Sequence, residues 1–338
     1  FCNIYFTLID LRGFIFFKMT YVLFLSVLIS KVVLPNISIK KYLNGINFIY
    51  SVLLIGLIIE YLLIAIFGNV FLTDLLMCNG EQTGVRGYIP QTNITNSILP
   101  YHISGLNSLM MGSQTASQLS VIIFVWFFYK YKSTKVKIYK VMASLGIFML
   151  FLSPSLTSLL LLFVALVSIF LIYLKDIYYK KTIYIYQIYF VTIILVLMIY
   201  IIFSLLVYRY QSIGEIYDVY IFNNLLGFGY FDLKEILLGI NLTRQSELFG
   251  VGEIAFLDQL MKYGFLGIGV LYAPILYFVL RAANVSNQTY TLPNLLILMI
   301  FIIGNIHYPV MFGIGLMELF AIHLGLVIYL GSSFSIKK

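Results

Sequence analysis

Long apolar runs dominate this sequence and restrict the folds that are open to it. They cover residues 18–34, 46–72, 104–129, 138–153, 155–174, 182–207, 253–280, 292–306 and 310–330. Only 10% of the 338 residues are charged, whereas soluble domains average about 25%. Runs of this length, without the alternation of a barrel strand, are typical of transmembrane helices. The sequence therefore predicts an all-α polytopic membrane protein with about 9–10 transmembrane helices, and residues 1–338 form a single integral membrane domain.

Basic residues mark every second connection between the apolar runs. These connections hold Lys31, Lys40 and Lys41, then Lys130, Lys132, Lys135, Lys137 and Lys140, then Lys175, Lys180 and Lys181, then Arg281, and finally Lys337 and Lys338. Short basic connections identify the cytoplasmic face of a membrane protein. The net charge of +8 is thus explained by topology, and we expect no nucleic-acid partner.

The opposite face receives two long segments, residues 73–103 and 208–252. Both are richer in Gly, Asn, Asp and Glu than the basic connections. The turns at residues 153–155 and 307–309 also face outward in this topology. Because long loops on a rigid scaffold commonly carry function, we expect the site to lie on the extracytoplasmic side. No pair of interrupted helices of the kind found in many transporters is recognisable in the sequence.

Arginine is concentrated where the topology does not require it. Arg86, Arg209 and Arg244 fall in the two outer segments, although lysine supplies most of the positive charge elsewhere. The planar guanidinium binds phosphate or carboxylate through two parallel hydrogen bonds. The pattern therefore indicates an anionic ligand at the outer membrane surface, and a lipid pyrophosphate fits it. Loop solvation and ion pairing are the alternatives, together with interfacial anchoring for Arg209.

The segment LTRQSELFGVGEIAFLDQLMKYG concentrates charge at the start of an apolar run. Gly250 and Gly252 predict a turn through which the chain re-enters the membrane, and Glu253, Asp258 and Lys262 follow. Asp258 and Lys262 are four residues apart and share a helix face. An ionisable group inside a span costs about 2.5–3.5 kcal/mol unless it is paired or hydrated. The segment predicts either the wall of a hydrated cavity or a structural ion pair.

Further candidate residues lie within or beside other apolar runs. Glu60 lies in the second run, Glu318 and His323 lie in the last, and His307 lies at an outer turn. A carboxylate or a neutral imidazole at such a position can act as a general base, and His307 is the most accessible from outside. Hydrogen bonding to neighbouring helices is the alternative for each. His102 opens a segment rich in serine and small residues, which predicts either a packing seam or a cavity wall.

The sequence contains no motif for a metal or a nucleotide cofactor. Its three histidines are scattered, and no His, Cys or Asp spacing matches a zinc site. No P-loop or dinucleotide fingerprint is present. We therefore expect neither a metal nor another cofactor.

Three segments of the chain together resemble a known family. The segment GVGEIAFLDQLMKYGFLGI joins a glycine-rich turn to a long span and contains the step Leu260–Gly267. The segment HISGLNSLMMGSQTASQL carries His102 where the family has arginine, and FLSPSLTSLLLL carries Leu156 where the family has arginine. Over roughly residues 100–330 the chain resembles the bacterial O-antigen polymerases of the Wzy type and, more distantly, the O-antigen ligases.

This resemblance implies a fold like that of the C-type glycosyltransferases and a location in the bacterial inner membrane. It implies an enzyme that joins undecaprenyl-pyrophosphate-linked oligosaccharide repeat units into O-antigen polysaccharide at the periplasmic face, without a metal or a nucleotide sugar. The donor and acceptor glycans, membrane lipid and a chain-length regulator protein are the expected partners.

The predicted site combines the resemblance with the candidate residues found in the sequence. By loop position, Arg244 and Arg209 match the family's periplasmic arginines best and would stabilise the departing pyrophosphate. The expected catalytic residues are Glu253, Asp258 and His307, and the expected substrate-binding residues are Arg244, Arg209, Arg86, Glu247 and His102. Whether Glu247, Glu253 or Asp258 performs chemistry stays open at this point.

Two other functions compete with polymerisation. A flippase or transporter of the same lipid-linked unit would need polar residues through several spans at mid-membrane depth, whereas the polar residues here gather toward the outer side. A ligase would share the fold, but ligases usually carry a histidine near the start of the helix that follows the large loop. Glu253 occupies that place here, which favours the polymerase.

Overall fold

The computed structural model describes residues 15–76, 113–152, 156–178, 255–283, 288–307 and 315–333. Within these ranges the backbone is almost entirely helical, with short turns and no β-strand. The prediction of an all-α architecture is thus confirmed for this part of the chain. The segment 208–252, which is predicted to face outward, and the apolar run 182–207 lie outside the described residues. The other segment predicted to face outward, 73–103, is described only as far as residue 76.

The helices follow the predicted apolar runs. They are α1 (Ile15–Leu28), α2 (Ile39–Leu76), α3 (Ser113–Thr134), α4 (Lys137–Leu152), α5 (Leu156–Tyr178), α6 (Ala255–Ala283), α7 (Gln288–His307) and α8 (Leu316–Ser333). A π-helical turn, Ile29–Val33, continues α1 into the short turn Leu34–Asn36. Each run that falls among the described residues coincides with a helix, with ends that differ by a few residues.

Two helical segments in the described part of the chain are long and apolar enough to cross a membrane. They are Lys18–Asn36 and Ile39–Ile59, judged by length and composition. The second belongs to α2, whose 38 residues correspond to about 57 Å of helix. Helix α2 continues to Leu76, so residues 73–76, the first four of the segment 73–103, are helical. No glycine or proline interrupts this stretch, and the helix therefore continues.

The described residues divide into two compact units. Unit A contains residues 31–76, 113–152 and 156–165 together with Gly315, and unit B contains residues 15–30, 166–178, 255–283, 288–307 and 316–333. Helices α2, α3 and α4 thus belong to unit A, whereas α1, α6, α7 and α8 belong to unit B.

Helix α3 is the buried centre of unit A. Residues 116–127 are all buried, including Ser117, Gln118 and Ser120. Helix α4 runs antiparallel to α3 and approaches it closely at Gly146, where an added Cβ would lie 3.2 Å from the Ser120 carbonyl oxygen. Such small residues permit close helix contact. Helices α3 and α4 therefore pack closely where Gly146 faces the Ser120 carbonyl.

Helix α1 packs against α8 in unit B, and the two helices run parallel. The Tyr21 hydroxyl reaches Glu318, near the start of α8. Further along both helices, a Cβ added at Gly325 would lie 2.7 Å from Ile29 Cγ2 and 2.9 Å from the Ser26 carbonyl oxygen. Contacts that advance in the same direction along both chains establish the parallel arrangement, and the missing side chain at Gly325 allows the close approach.

Helix α7 runs antiparallel to α8. The rings of Phe301 and Phe320 meet edge to face with centroids 5.5 Å apart, and Asn294 contacts His323. Residue numbers therefore fall along α7 as they rise along α8. Helices α6 and α7 are also packed together, and the short connection 284–287 between them makes this pair antiparallel as well.

Candidate functional site

Most of the predicted site residues lie outside the described part of the chain. These are Arg86, His102, Arg209, Arg244, Glu247 and Glu253. The backbone is described for Asp258, in the first turns of α6, and for His307, the last residue of α7. Glu60 lies within α2, again as backbone only. The predicted roles of these residues stay predictions.

The backbone places Asp258 and His307 in different surroundings. Tyr272 lies fourteen residues after Asp258 on α6, which corresponds to about 21 Å of helix. The Tyr272 hydroxyl bonds to Asn305, only two residues before His307. Asp258 therefore lies near the end of α6 that follows segment 208–252. His307 lies near the contact between α6 and α7.

A first polar contact between helices of unit B joins Asn305 and Tyr272. Asn305 is 1% exposed, and its Nδ2 donates to the Tyr272 hydroxyl at 2.6 Å. Its Oδ1 is buried and has no hydrogen-bond partner among the described residues. A buried carbonyl oxygen without a partner costs about 1–3 kcal/mol, so this amide is a place where a hydrogen-bond donor from outside the helices would be stabilised.

His323 and Asn294 form the second contact, between α8 and α7. Both side chains are 0% exposed, and His323 Nδ1 lies 2.6 Å from Asn294 Oδ1. The imidazole is therefore enclosed and engaged with a neighbouring helix. Of the two interpretations of His323, the structure favours the packing role, because a general base must contact its substrate.

Glu318 and Tyr21 form the third contact, between α8 and α1. The Tyr21 hydroxyl donates to Glu318 Oε1 at 3.3 Å. The other carboxylate oxygen, Oε2, is buried without a hydrogen-bond partner in the described residues. Glu318 is partly exposed and Tyr21 is exposed. Unlike the histidine contact, this pair is partly exposed, and its carboxylate keeps one buried oxygen without a described partner.

Unit A contains polar contacts of a structural kind. Trp126 Nε1 donates to Asn47 Oδ1 at 2.8 Å, and the Tyr50 ring lies 5.7 Å from the Trp126 ring. The Lys130 ammonium lies 5.5 Å from the Trp126 ring centroid, within the range of a cation–π interaction. These contacts connect α2 and α3 at the end of α3 that precedes the basic connection.

Sequence reasoning missed the partners of the ionisable residues. Asn294, Asn305, Tyr21 and Tyr272 are uncharged, and each stands within an apolar stretch. The available signal was the isolated amide in a long apolar run, as in NLLILMIFIIGNIH, because neutral polar groups inside membrane helices usually bond to neighbouring helices.

The described residues contain no group of three or more His, Cys, Asp or Glu side chains that could hold a metal ion. Comparisons of the chain with known protein families, characterised proteins and solved structures find no match. The chemistry of the site must therefore be argued from the residues of this chain.

Proposed function

We propose that the chain is a multi-pass protein of the bacterial inner membrane that polymerises undecaprenyl-pyrophosphate-linked oligosaccharide repeat units at the periplasmic face. In this proposal a sugar hydroxyl of the acceptor attacks the anomeric carbon of the donor. The bond between that carbon and the pyrophosphate oxygen breaks, and undecaprenyl pyrophosphate leaves with the electron pair. The reaction needs positioning, a proton acceptor and stabilisation of the leaving pyrophosphate.

The distribution of polar and apolar side chains supports a membrane location. Along one face of α2, large apolar side chains are exposed at Phe48, Val52, Ile55, Ile59, Leu62 and Ile66. Meanwhile Ser117, Gln118, Thr291, Asn294 and Asn305 are buried. Extended apolar surfaces are unfavourable in water, and buried polar residues that connect helices are common in membranes. The exposed apolar face of α2, together with these buried polar residues, is the observation that carries the membrane part of the proposal.

The directions of packed helices support the same topology. The alternation of basic connections predicts that α1, α6 and α8 run inward and that α7 runs outward. In unit B, α1 and α8 are parallel, and α7 is antiparallel to both α6 and α8. Packed contacts do not depend on lysine positions, so their agreement with the charge pattern supports multi-pass insertion.

The residues proposed for chemistry come from the outer segments and from helix ends. Arg244 and Arg209 would bind the donor pyrophosphate through their guanidinium groups. Arg86, Glu247 and His102 would bind the substrate, and Glu253, Asp258 and His307 are the catalytic candidates that the sequence offers. Each choice derives from sequence position and residue type.

Arg244 is the sharpest test of the proposal. In a strain that lacks the native gene, we expect the Arg244→Ala variant to fail to restore long polysaccharide. Loss of one such stabilising group lowers rates by about 10²–10³. Arg244→Lys keeps the charge but not the fork and should restore only short chains. Arg281→Lys, at the inner end of α6, is the matched control and should restore normal lengths.

Polysaccharide length profiles, measured with the amount of membrane-inserted protein, decide the result. Normal chain lengths in Arg244→Ala would contradict the role of Arg244. The gene deletion itself separates a polymerase from the other two functions. Loss of a polymerase leaves single repeat units on the cell surface, whereas loss of a flippase or ligase removes surface glycan altogether.

A further inference from the structure

The carboxylate of Glu318 is incompletely used by the helices around it. One oxygen accepts a hydrogen bond from Tyr21 at 3.3 Å, and the other is buried without a partner in the described residues. Glu318 lies in the first turn of α8, among apolar neighbours in LMELFAI. Ionisable residues within membrane spans are rare and usually have a specific partner or a function.

A structural role alone does not require this charge. An uncharged glutamine could accept the same hydrogen bond from Tyr21 through its carbonyl oxygen. A carboxylate adds a second acceptor and the capacity to take up a proton. Oε2 has no hydrogen-bond partner among the described residues, so the carboxylate keeps an acceptor for a group that arrives from outside the protein.

The position of Glu318 agrees with the proposed site of reaction. It follows the outer turn 307–309 by nine residues, and in the predicted topology α8 enters the membrane from that side. The contact of Gly325 with Ile29 and Ser26 holds α1 against α8, which keeps Tyr21 beside the carboxylate. Glu318 is partly exposed. Its terminal torsion has a broad two-fold preference, so rotation exchanges the positions of the two oxygens.

We propose that Glu318 is the general base for the acceptor hydroxyl and that Tyr21 is its positioning residue. This inference rests on the proposed polymerase function. The acceptor hydroxyl transfers its proton to the Glu318 carboxylate while its own oxygen forms the new bond to the anomeric carbon of the donor. The bond from that carbon to the pyrophosphate breaks at the same time, and the electron pair leaves with the pyrophosphate. Glu318 then releases the proton to water.

His323 on the same helix does not compete for this role. Its ring is 0% exposed, and its Nδ1 is engaged with Asn294. Glu318 is nearer the start of α8 by five residues, or about 7.5 Å. Of the two ionisable residues that the sequence places in the last apolar run, the accessible one is the carboxylate.

Substitutions at Glu318 separate a base from a structural acceptor. Glu318→Gln keeps the size and the acceptor for Tyr21 but removes the base, and removal of a general base typically lowers rates about 10²–10⁴-fold. We expect this variant to display single repeat units only. Glu318→Asp keeps a carboxylate and should restore short chains. Normal chain lengths in the glutamine variant would overturn the inference.

Two tyrosines provide a matched pair for the positioning role. Tyr21→Phe removes the hydroxyl that bonds to Glu318 at 3.3 Å, and Tyr277→Phe removes one that accepts from Arg281 at 3.3 Å. Both tyrosines are exposed. We expect Tyr21→Phe to shorten the chains several-fold and Tyr277→Phe to leave them unchanged. Equal effects of the two changes would remove Tyr21 from the mechanism.

Chemical labelling of the intact protein gives a readout that does not depend on the folding of variants. An apolar carbodiimide should modify Glu318 in membranes that contain the unaltered chain. The lipid-linked repeat unit extracted from the deletion strain should protect it, as detected by mass spectrometry of the α8 peptide. Modification that is equal with and without this substrate would contradict the inference.

The outcomes also distinguish this inference from the proposed function. Normal polysaccharide in the deletion strain would refute the polymerase itself. A second outcome is loss of polymer in both the deletion strain and the Arg244→Ala strain, with normal polymer in the Glu318→Gln strain. This outcome would support the polymerase function and refute only the role of Glu318.

Discussion

Gly325 on α8 lies directly against Ile29 on the π-helical continuation of α1. A Cβ at Gly325 would come within 2.7 Å of Ile29 Cγ2, closer than real Cβ contacts allow. The backbone carbonyl of Ser26 is 2.9 Å from the same point and cannot move aside as a flexible side chain can. The parallel packing of α1 on α8 therefore requires a residue without a side chain at this position.

The first prediction concerns this contact. We expect Gly325→Ala to lower the free energy of unfolding by about 1–3 kcal/mol, since overpacking forces helices apart. Gly269→Ala on α6 is the control, because nothing lies within 4 Å of its added Cβ; it should be neutral or should stabilise by about 0.5–1 kcal/mol. Thermal unfolding of the purified proteins in detergent measures both changes. If Gly325→Ala were as stable as the unaltered protein, α1 would not pack as described.

The second prediction concerns the hydrogen bond between Trp126 and Asn47. Trp126→Phe keeps an aromatic ring but leaves Asn47 Oδ1 without its donor at 2.8 Å. Interhelical hydrogen bonds in membrane proteins average about 0.6 kcal/mol and reach about 1.7 kcal/mol. We expect the free energy of unfolding to fall by an amount in that range, in addition to the effect of changed packing.

A double-mutant cycle of Trp126→Phe with Asn47→Leu isolates the contribution of this hydrogen bond to stability. The two changes combined should destabilise less than the sum of the single changes, because neither polar group is then left unpaired. Additive effects in denaturation experiments would mean that the bond contributes nothing to stability.

The third prediction concerns the turn between α3 and α4. Lys135 has a φ of 60°, and its N–H donates to the Tyr131 carbonyl oxygen at 2.8 Å, as at a left-handed helix end. Such a conformation costs a lysine about 1–2 kcal/mol, and glycine adopts it freely. We expect Lys135→Gly to raise the free energy of unfolding. Lys137→Gly removes the same charge at the first residue of α4 and should not raise the free energy of unfolding. A destabilised Lys135→Gly variant would contradict the turn geometry.

The fourth prediction concerns topology. In a chain in which Cys2 is replaced by serine, Cys78 falls in the outer segment 73–103 and should react with a membrane-impermeant maleimide in intact spheroplasts. Ser133→Cys, introduced with Cys78→Ser, lies near the basic connection between α3 and α4 and should react only after permeabilisation. Labelling of both sites from the outside would reject the predicted orientation.

Much of the helical framework was predictable because its signals are local. Apolar runs locate helices through composition alone, as for α7, which the sequence placed at 292–306 and the structure places at Gln288–His307. The ends were less certain, and residues 73–76 continue α2 because no residue there breaks a helix. The all-α architecture follows from the same local signals.

The candidate site was only partly predictable, because its contacts join distant parts of the chain. The sequence presented Glu318 and His323 as equivalent polar residues in one apolar run. Only packing separates them, since His323 is enclosed against Asn294 while Glu318 keeps one oxygen without a described partner beside Tyr21.

The sequence by itself determined that this chain forms helices, avoids charge within them, and carries lysines at alternate connections, because these properties depend on residues read one after another. The tertiary structure decided which helices pack together, whether they run parallel or antiparallel, and which residues along them are in contact. Tyr21 and Glu318 are 297 residues apart in the chain, and no local pattern relates them. Their contact depends on the close approach of α1 and α8 at Gly325, and that approach is a property of the folded pair.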